Sequence, residues 1–364
     1  MLVGLVSPYE DKEKTLAVFE EVESLVHTYG GRVYGVTTQN STRADNATFI
    51  GSGKAQEVAD TIGREKIDTV VVNANVKSGQ LYTLKKIFER SNPDIVVWDR
   101  EDLILQIFSK HAKTSEAKLQ IKLASIRHKG PRIYGIGEEM SQQAGGIGTR
   151  GMGETITERM RRHWRDEIRS IQKQLQKVSQ NKFQQMERRK RTGSPTISII
   201  GYTNSGKSTL FNILGRKSNE VEDALFVTLD SSVCTIFLPV LNREVYLSDT
   251  IGFIQNLPHQ LIEAFKSTLM EAIHADLLLH VIDTSDLWMN DKIAIVEKIL
   301  CDLTIDTKNQ IYVFNKIDKA KDVDRNELSN RYSIFHPQFI SAKYNIEVNH
   351  LLDKIQMILN FATI

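Results

Sequence analysis

Thr196-Ile197-Ser198-Ile199-Ile200-Gly201-Tyr202-Thr203-Asn204-Ser205-Gly206-Lys207-Ser208-Thr209-Leu210-Phe211 decides the fold of the C-terminal half of the chain. Residues 196–200 form a β-branched, apolar run of the kind that makes a buried parallel strand. Gly201 to Ser208 fits GxxxxGK[ST] at every fixed position, and a helical stretch follows from Thr209. Strand, glycine loop and helix are the context in which this motif cradles phosphates. Backbone N–H groups at the helix N-terminus favour anions, helped by the helix dipole. Lys207 adds a point charge for the β- and γ-phosphates, and the Ser208 hydroxyl completes magnesium coordination. The expected phosphate cradle is therefore Gly201, Tyr202, Thr203, Asn204, Ser205, Gly206, Lys207, Ser208 and Thr209.

Three further segments follow in order: Asp249-Thr250-Ile251-Gly252, Asn315-Lys316-Ile317-Asp318, and Ser341-Ala342-Lys343. Asp249 ends the expected strand Val245–Ser248 and would hold the magnesium through water, while the Gly252 N–H senses the γ-phosphate. Asp318 is expected to select the base. Guanine offers adjacent N1–H and N2–H₂ donors to one carboxylate, whereas adenine presents an acceptor at N1. The wrong base leaves a buried carboxylate unpaired, at a cost of roughly 1–3 kcal/mol or more. Asn315 and Lys316 brace the pocket, and the Ala342 N–H is expected to meet guanine O6. Any one segment could arise by chance; the ordered set predicts a guanine-nucleotide hydrolase. Gly51-Ser52-Gly53-Lys54 is a decoy, since Thr48 stands where the first glycine belongs and Ala55 replaces Ser or Thr. It reads as a turn entering a helix.

Composition sets bounds. The 364 residues are enough for two or three domains with their own cores. Apolar content of 41% and charged content of 25% are ordinary for soluble proteins. No apolar run approaches the 18 or so residues of a membrane helix, and Met1–Ser7 reads as a strand, not a signal peptide. Cys234 and Cys301 have no metal or disulfide spacing and lie in apolar stretches, so buried thiols in a reducing cytoplasm are expected.

Residues 1–112 read as an α/β unit with strands at Leu2–Val6, Arg32–Val36, Thr69–Asn73 and Asp94–Val97, and helices near 12–28, 53–64 and 79–91. That alternation predicts a parallel sheet with right-handed crossovers. Residues 113–191 read as a helical hairpin. Leu103, Ile104, Ile107, Phe108, Leu119, Leu123 and Ile126 share one face of a helical pattern that ends near Gly130-Pro131. Ile156, Met160, Trp164, Ile168, Ile171, Leu175 and Val178 form the seam of the second helix. Between them, eight of the 24 residues from Gly130 to Gly153 are glycine. Such a segment is either a disordered connector or a strand of backbone that threads a site too tight for side chains. Residues 192–195 link to the nucleotide domain, 196–364.

Charge is uneven. Lys113–Arg191 holds 19 Lys and Arg against 8 Asp and Glu, a net +11, which leaves −9 on the rest of a chain whose total is +2. Either the hairpin meets a phosphate backbone or it is a solvated element without a partner.

Ser141-Gln142-Gln143, Gly145–Gly153 with Glu154-Thr155, Leu119-Gln120 with Leu123-Ala124, Phe49–Lys54, Asp99-Arg100 through Ile107-Phe108, Leu225–Asp230 and Asp249–Ile254 together resemble the HflX family of ribosome-associated GTPases. The resemblance spans essentially the whole chain. The fold it implies is an N-terminal parallel-sheet α/β subdomain, a long helical hairpin, and a Ras-like P-loop GTPase domain. The function it implies is GTP-dependent binding to the large ribosomal subunit and its rRNA, with subunit dissociation or rescue in some members. It assigns Thr228, beside Phe226 and Val227, as the switch threonine that ligates magnesium, so that Lys207, Thr228 and Gly252 carry the hydrolysis of GTP to GDP. Phe253 follows the DxxG glycine where many GTPases keep a water-orienting glutamine, so a slow intrinsic rate is expected. Asn204 stands where potassium-dependent GTPases coordinate K⁺, or else only braces the loop.

Departures from the family pattern are Met152, in place of the usual proline, and Ser231-Ser232-Val233-Cys234, in place of a Pro, Thr, Arg pattern. The chain ends at Ile364, so an appended C-terminal domain is expected to be absent. Other readings are a regulatory switch that recruits a protein through the hairpin, and an RNA-binding module in which nucleotide only supports the fold. The expected setting is a cytoplasmic monomer.

Overall fold

The computed structural model describes residues 1–9, 11–143, 150–191, 193–216, 225–226, 232–255, 261, 269–305, 307, 309–320 and 323–361. The chain divides into two compact units, Met1–His111 with Lys118–Gln174, and Ala112–Ala117 with Leu175–Ile364.

In the first unit, strands β1 (Leu2–Val6), β2 (Val36–Asn40), β3 (Thr69–Val72) and β4 (Val96–Asp99) form an all-parallel sheet in the order β2-β1-β3-β4. Helices α1 (Lys12–Tyr29), α2 (Ser52–Glu65) and α3 (Ser78–Glu89) supply the crossovers, and α4 (Arg100–His111) follows β4. Val3, Val58, Ile62, Val70, Leu84 and Phe88 fill the core. α1 begins where the Asp11 carboxylate accepts from the Glu13 N–H, and it ends at Gly30 with φ 99°. The Gly51–Lys54 stretch is indeed a turn into α2, pinned by the Gly51 N–H donating to Gln39 Oε1 at 2.8 Å.

Three elements fall differently from the sequence reading, the first being β4, which runs Val96–Asp99 where Asp94–Val97 was expected. β2 starts at Val36, where the apolar run Arg32–Val36 was expected to be the strand. It is an edge strand whose residues alternate between exposed and half-buried, so its own sequence, Val-Thr-Thr-Gln-Asn, is largely polar. The helical pattern from Arg100 also resolves into two helices. The chain breaks after His111, and the Thr114 hydroxyl accepts from the Ala117 N–H at 3.1 Å to open α5 (Ser115–Gln143).

α5 runs through Gly130-Pro131, beyond the expected end, and α6 spans Arg150–Arg191. Gly151 and Gly153 therefore stand in the first turn of α6, while Gly145, Gly146 and Gly148 lie outside the described residues. The two helices run antiparallel. In the first unit Lys122 Nζ meets Glu167 Oε1 at 2.6 Å, and a Cβ on Gly130 would stand 3.4 Å from the Trp164 ring. In the second, Lys182 meets Glu116 at 2.8 Å. Met160, Trp164 and Ile168 are half-buried and Ile171 is buried, whereas Arg159, Arg161, Arg162, Arg165 and Arg169 are all exposed.

The second unit holds a six-stranded sheet in the order β10-β9-β8-β5-β7-β6. Its strands are β5 (Thr196–Gly201), β6 (Ser232–Leu238), β7 (Arg243–Asp249), β8 (Leu277–Asp283), β9 (Gln310–Asn315) and β10 (Gln338–Phe339), and only β6 runs antiparallel. Helices are α7 (Lys207–Leu214), α8 (Met270–Ile273), α9 (Met289–Asp302), α10 (Arg325–Arg331) and α11 (Val348–Phe361). One face buries Ile197, Ile199, Leu247, Leu279, Val313 and Leu351, and the other Ile293, Tyr312 and Phe314. At the end of α6, Arg189 lies 4.4 Å over the Tyr246 ring and 3.2 Å from Glu271 Oε1. Cys301 is exposed on α9 and Cys234 is half-buried, so the apolar surroundings of Cys301 in sequence do not bury it.

Candidate functional site

β5 is central, flanked by β7 and β8, and the chain leaves it for one side of the sheet before returning to the other. A crevice at the C-terminal ends of the strands forms at such a switch point. There β5 ends at Gly201 with φ 147°, and a Cβ would stand 2.3 Å from the Val281 carbonyl oxygen. Gly206, with φ 95°, opens α7, and a Cβ there would stand 2.2 Å from Asn315 Nδ2. Both positions are closed to any other residue. Asn204 takes φ 59° and is exposed, a left-handed conformation that asparagine tolerates.

Lys207 is buried, and its ammonium donates to the Tyr202 carbonyl at 2.6 Å. Burial pushes it down to about 8, against the opposing pull of Asp249. The Ser208 hydroxyl donates to Asp249 Oδ2 at 2.8 Å, which places a hydroxyl oxygen against a buried carboxylate. That pair of hard oxygen donors beside a phosphate cradle fits Mg²⁺. Gly252 packs so closely that a Cβ would stand 2.9 Å from Lys207 Nζ. Among the described residues, the buried Thr203 and Ser205 hydroxyls meet no hydrogen-bond partner, leaving two polar atoms in the loop available to a ligand. Thr209 is half-buried on α7.

Thr250 is fully buried, with its hydroxyl on the Ile199 carbonyl at 2.7 Å, and Ile251 is buried beside it. Phe253 exchanges backbone hydrogen bonds with the loop, receiving Thr203 N–H on its carbonyl at 2.7 Å and donating to Gly201 at 3.1 Å. Its ring is fully buried. The Tyr202 hydroxyl accepts from the Gln255 N–H at 2.7 Å and ties the following turn to the loop.

The segments expected to read the base meet the same loop. Asn315 Nδ2 donates to the Ser205 carbonyl at 2.9 Å, and Lys316 Nζ donates to the Asn204 carbonyl at 2.7 Å. The Ala342 N–H, expected to meet guanine O6, donates to Asn315 Oδ1 at 2.9 Å, so a base oxygen would share that amide. The Ser341 hydroxyl donates to Asp318 Oδ1 at 2.5 Å and fixes the carboxylate. Lys343 is exposed, its ammonium 5.5 Å from the Tyr344 ring centroid. Phe226 is buried with φ 59°, while Val227 and Thr228 lie outside the described residues.

The sequence reading missed two supports. Asp283, at the end of β8, holds Lys316 Nζ at 2.7 Å, and Thr284 donates to the Asn315 carbonyl through both N–H, at 2.9 Å, and hydroxyl, at 2.7 Å. Neither belongs to a fixed spacing; a polar pair closing an apolar strand was the available signal.

Three family models match within residues 17–316: a GTP-binding GTPase N-terminal region at residues 17–109, a GTP-binding GTPase middle region at 111–189, and a 50S ribosome-binding GTPase domain at 196–316. A GTPase HflX from Caldanaerobacter subterraneus is 41% identical over 98% of this chain and 79% of its own length. Another from Escherichia coli is 37% identical over 89% and 75%. The chain belongs to the HflX family. As an HflX GTPase it binds guanine nucleotides and hydrolyses GTP. The fold is also that of a Sulfolobus solfataricus GTP-binding protein crystallised with GDP, at TM-score 0.51 and 24% identity over 99% of this chain and 98% of that one. The SsGBP–GDP complex gives TM-score 0.54 at 24% identity over 100% and 99%. No helix of the described residues is long and apolar enough to cross a membrane in this HflX protein.

Proposed function

We propose that this GTPase binds the large ribosomal subunit in a nucleotide-dependent way, through rRNA contacts of the basic hairpin, and promotes subunit dissociation or rescue. The observation that carries the reading is the exposure of Arg159, Arg161, Arg162, Arg165 and Arg169 along one helix whose opposite face is seated. Their intrahelical partners are weak: Arg162 lies 3.5 Å from Glu158, and Arg169 lies 3.8 Å from Asp166, both in solvent. The segment Lys113–Arg191 carries a net +11 in sequence, the sign that a phosphate backbone attracts. The 50S ribosome-binding description of the matched domain and the family membership point the same way.

The working parts are residues 1–112, 113–191 and 196–364, joined at 192–195, in a cytoplasmic monomer. Within the nucleotide pocket, Ser208 and Thr228 would hold Mg²⁺, with Asp249 reaching it through water. Lys207, Thr228 and Gly252 act on the γ-phosphate, and Asp318 reads guanine with Asn315, Lys316, Ser341, Ala342 and Lys343 around it. Bound Mg²⁺ neutralises phosphate charge. The chain's own contribution is the cradle of N–H groups and the Lys207 ammonium. Asn204 offers its exposed amide to K⁺, and hydrolysis is expected to run faster in potassium than in sodium chloride at matched ionic strength; equal rates remove the cation from the scheme.

Co-sedimentation with purified large subunits tests the main reading. Binding is expected with a non-hydrolysable GTP analogue and much less with GDP. A protein-recruiting switch predicts no binding in either state, and an RNA module predicts equal binding in both.

A further inference from the structure

The first unit contains a buried cluster that neither the nucleotide pocket nor the hairpin's basic face uses. Asp99 closes β4, Glu101 and Asp102 lie in the first turn of α4, and His128 and Arg132 reach them from α5. Asp99, Glu101, Asp102 and His128 are all at least nine-tenths buried. The His128 ring is oriented from one side, with Nδ1 3.0 Å from Glu101 Oε2. Its other nitrogen, Nε2, lies 3.4 Å from Asp99 Oδ1 and 3.2 Å from Asp102 Oδ1. It makes a directed hydrogen bond to no described residue. The far oxygens are taken: Arg132 donates to Asp102 Oδ2 at 2.6 Å and to Asp99 Oδ2. The Asp102 N–H adds a bond to Asp99 Oδ1 at 2.8 Å.

Two carboxylate oxygens and one ring nitrogen thus face a common point, with one donor atom from each residue and all within 4.8 Å of one another. Donors held about 2.0–2.2 Å from one ion in a tetrahedral shell stand about 3.3–3.6 Å apart, close to the two Nε2–oxygen separations. A carboxylate on Nδ1 is the usual support of a metal-bound histidine, since it fixes the ring and turns the Nε2 lone pair toward the ion. Charge gives the same answer. Three carboxylates and Arg132 sum to −2 with a neutral imidazole, and an unbalanced charge of that size is costly in a buried place. A proton on the imidazole cancels half of it. A dication cancels all of it.

We propose that Asp99, Asp102 and His128 bind one divalent cation of the Mn²⁺–Zn²⁺ series, at a site separate from the nucleotide's magnesium. One nitrogen and two oxygen donors suit these borderline ions. Glu101 and Arg132 are positioning residues, the first for the imidazole and the second for both carboxylates. The ion would join β4 and α4 to α5, and so fasten the root of the hairpin to the sheet.

The test uses the full chain, freed of nucleotide and stripped with chelator, titrated in turn with Zn²⁺, Mn²⁺ and Co²⁺. One saturable equivalent is expected for at least one ion, with a Co²⁺ visible band that reports nitrogen and oxygen ligation. Asp102→Asn and His128→Gln are expected to weaken it by at least about tenfold. Lys207→Ala, in the phosphate cradle, is expected to bind the ion as wild type does. Should either cluster variant fail to fold, wild-type thermal unfolding decides: one equivalent of ion must raise the midpoint above that in chelator. No saturable binding at millimolar ion, undiminished binding in folded Asp102→Asn, or a midpoint indifferent to ion and chelator overturns the site.

Discussion

Asp318 and Phe253 were both readable from motif position, and the structure changes what each is expected to do. Asp318 is held by Ser341 at 2.5 Å, so its carboxylate would meet a guanine base already oriented. Asp318→Asn should shift preference from GTP to xanthosine triphosphate, whose C2 carbonyl pairs with an amide donor; a competition titration in which the variant still prefers GTP tenfold refutes the assignment. Phe253 was read only as a missing glutamine. The ring is fully buried, so its position is a packing position as well as the place after DxxG. Phe253→Ala should therefore destabilise the domain by about 3–5 kcal/mol. Its hydrolysis rate per folded molecule should stay within about tenfold of wild type, because no proton-transfer group is lost. Single-turnover kinetics on the folded fraction, at a temperature well below the variant's midpoint, separates the two effects; a thousandfold loss with intact affinity gives the ring a direct role. Asp283 and Thr284 escaped notice for the opposite reason: their service is to Lys316 and Asn315, and long-range partners leave no spacing in a sequence.

At the scale of elements, hydrophobic runs located the buried strands and failed on the edge. β3 and β5 lie where apolar β-branched runs put them, whereas β2 is polar and half in solvent. The hairpin's helices were legible as periodicity, but the break between α4 and α5 was not, because Ala112-Lys113-Thr114 holds no Gly or Pro and only a side-chain cap marks the new start. One element junction gives a pH prediction. His280 on β8 is fully buried against Tyr312 and Gln310 of β9, with Glu297 of α9 at 3.5 Å. Burial pushes His280 below its ordinary value, and the Glu297 hydrogen bond only partly offsets this. The folded state thus favours the neutral ring; its contribution is complete above about pH 6.5 and is lost as pH falls below that. Glu297 is held below its ordinary range because hydrogen bonds from His280, Tyr312 and Gln310 outweigh burial, so its own contribution fades only at more acid pH. Thermal unfolding between about pH 7.5 and 5.5 should show a loss of at most about 1.4 kcal/mol per pH unit from this proton. His280→Gln should be less stable at the upper pH and flatter across the window. A variant that keeps the full slope places the proton uptake elsewhere.

For the whole molecule, the charge separation that was plain in composition becomes a surface once the helix places the five arginines in solvent. Each side chain among Arg159, Arg161 and Arg162 that meets an rRNA phosphate should add about 0.7–0.9 to the slope of log affinity against log salt, through release of counterions. Replacing all three by alanine should flatten that slope by about two to three and leave GTP affinity untouched. The glycine segment makes a different demand. Gly146 and Gly148 have no charge to contribute, so a role in binding must come from the absence of side chains. Gly146→Val and Gly148→Val should weaken large-subunit binding at every salt concentration, leave the salt slope unchanged, and reduce the stimulation of GTP hydrolysis by large subunits. A connector without a binding role predicts that both valine variants match wild type in sedimentation and in stimulated hydrolysis. The two sets of variants thus separate charge from bulk, and salt-insensitive binding by the wild-type chain would remove the phosphate-backbone reading of the hairpin altogether.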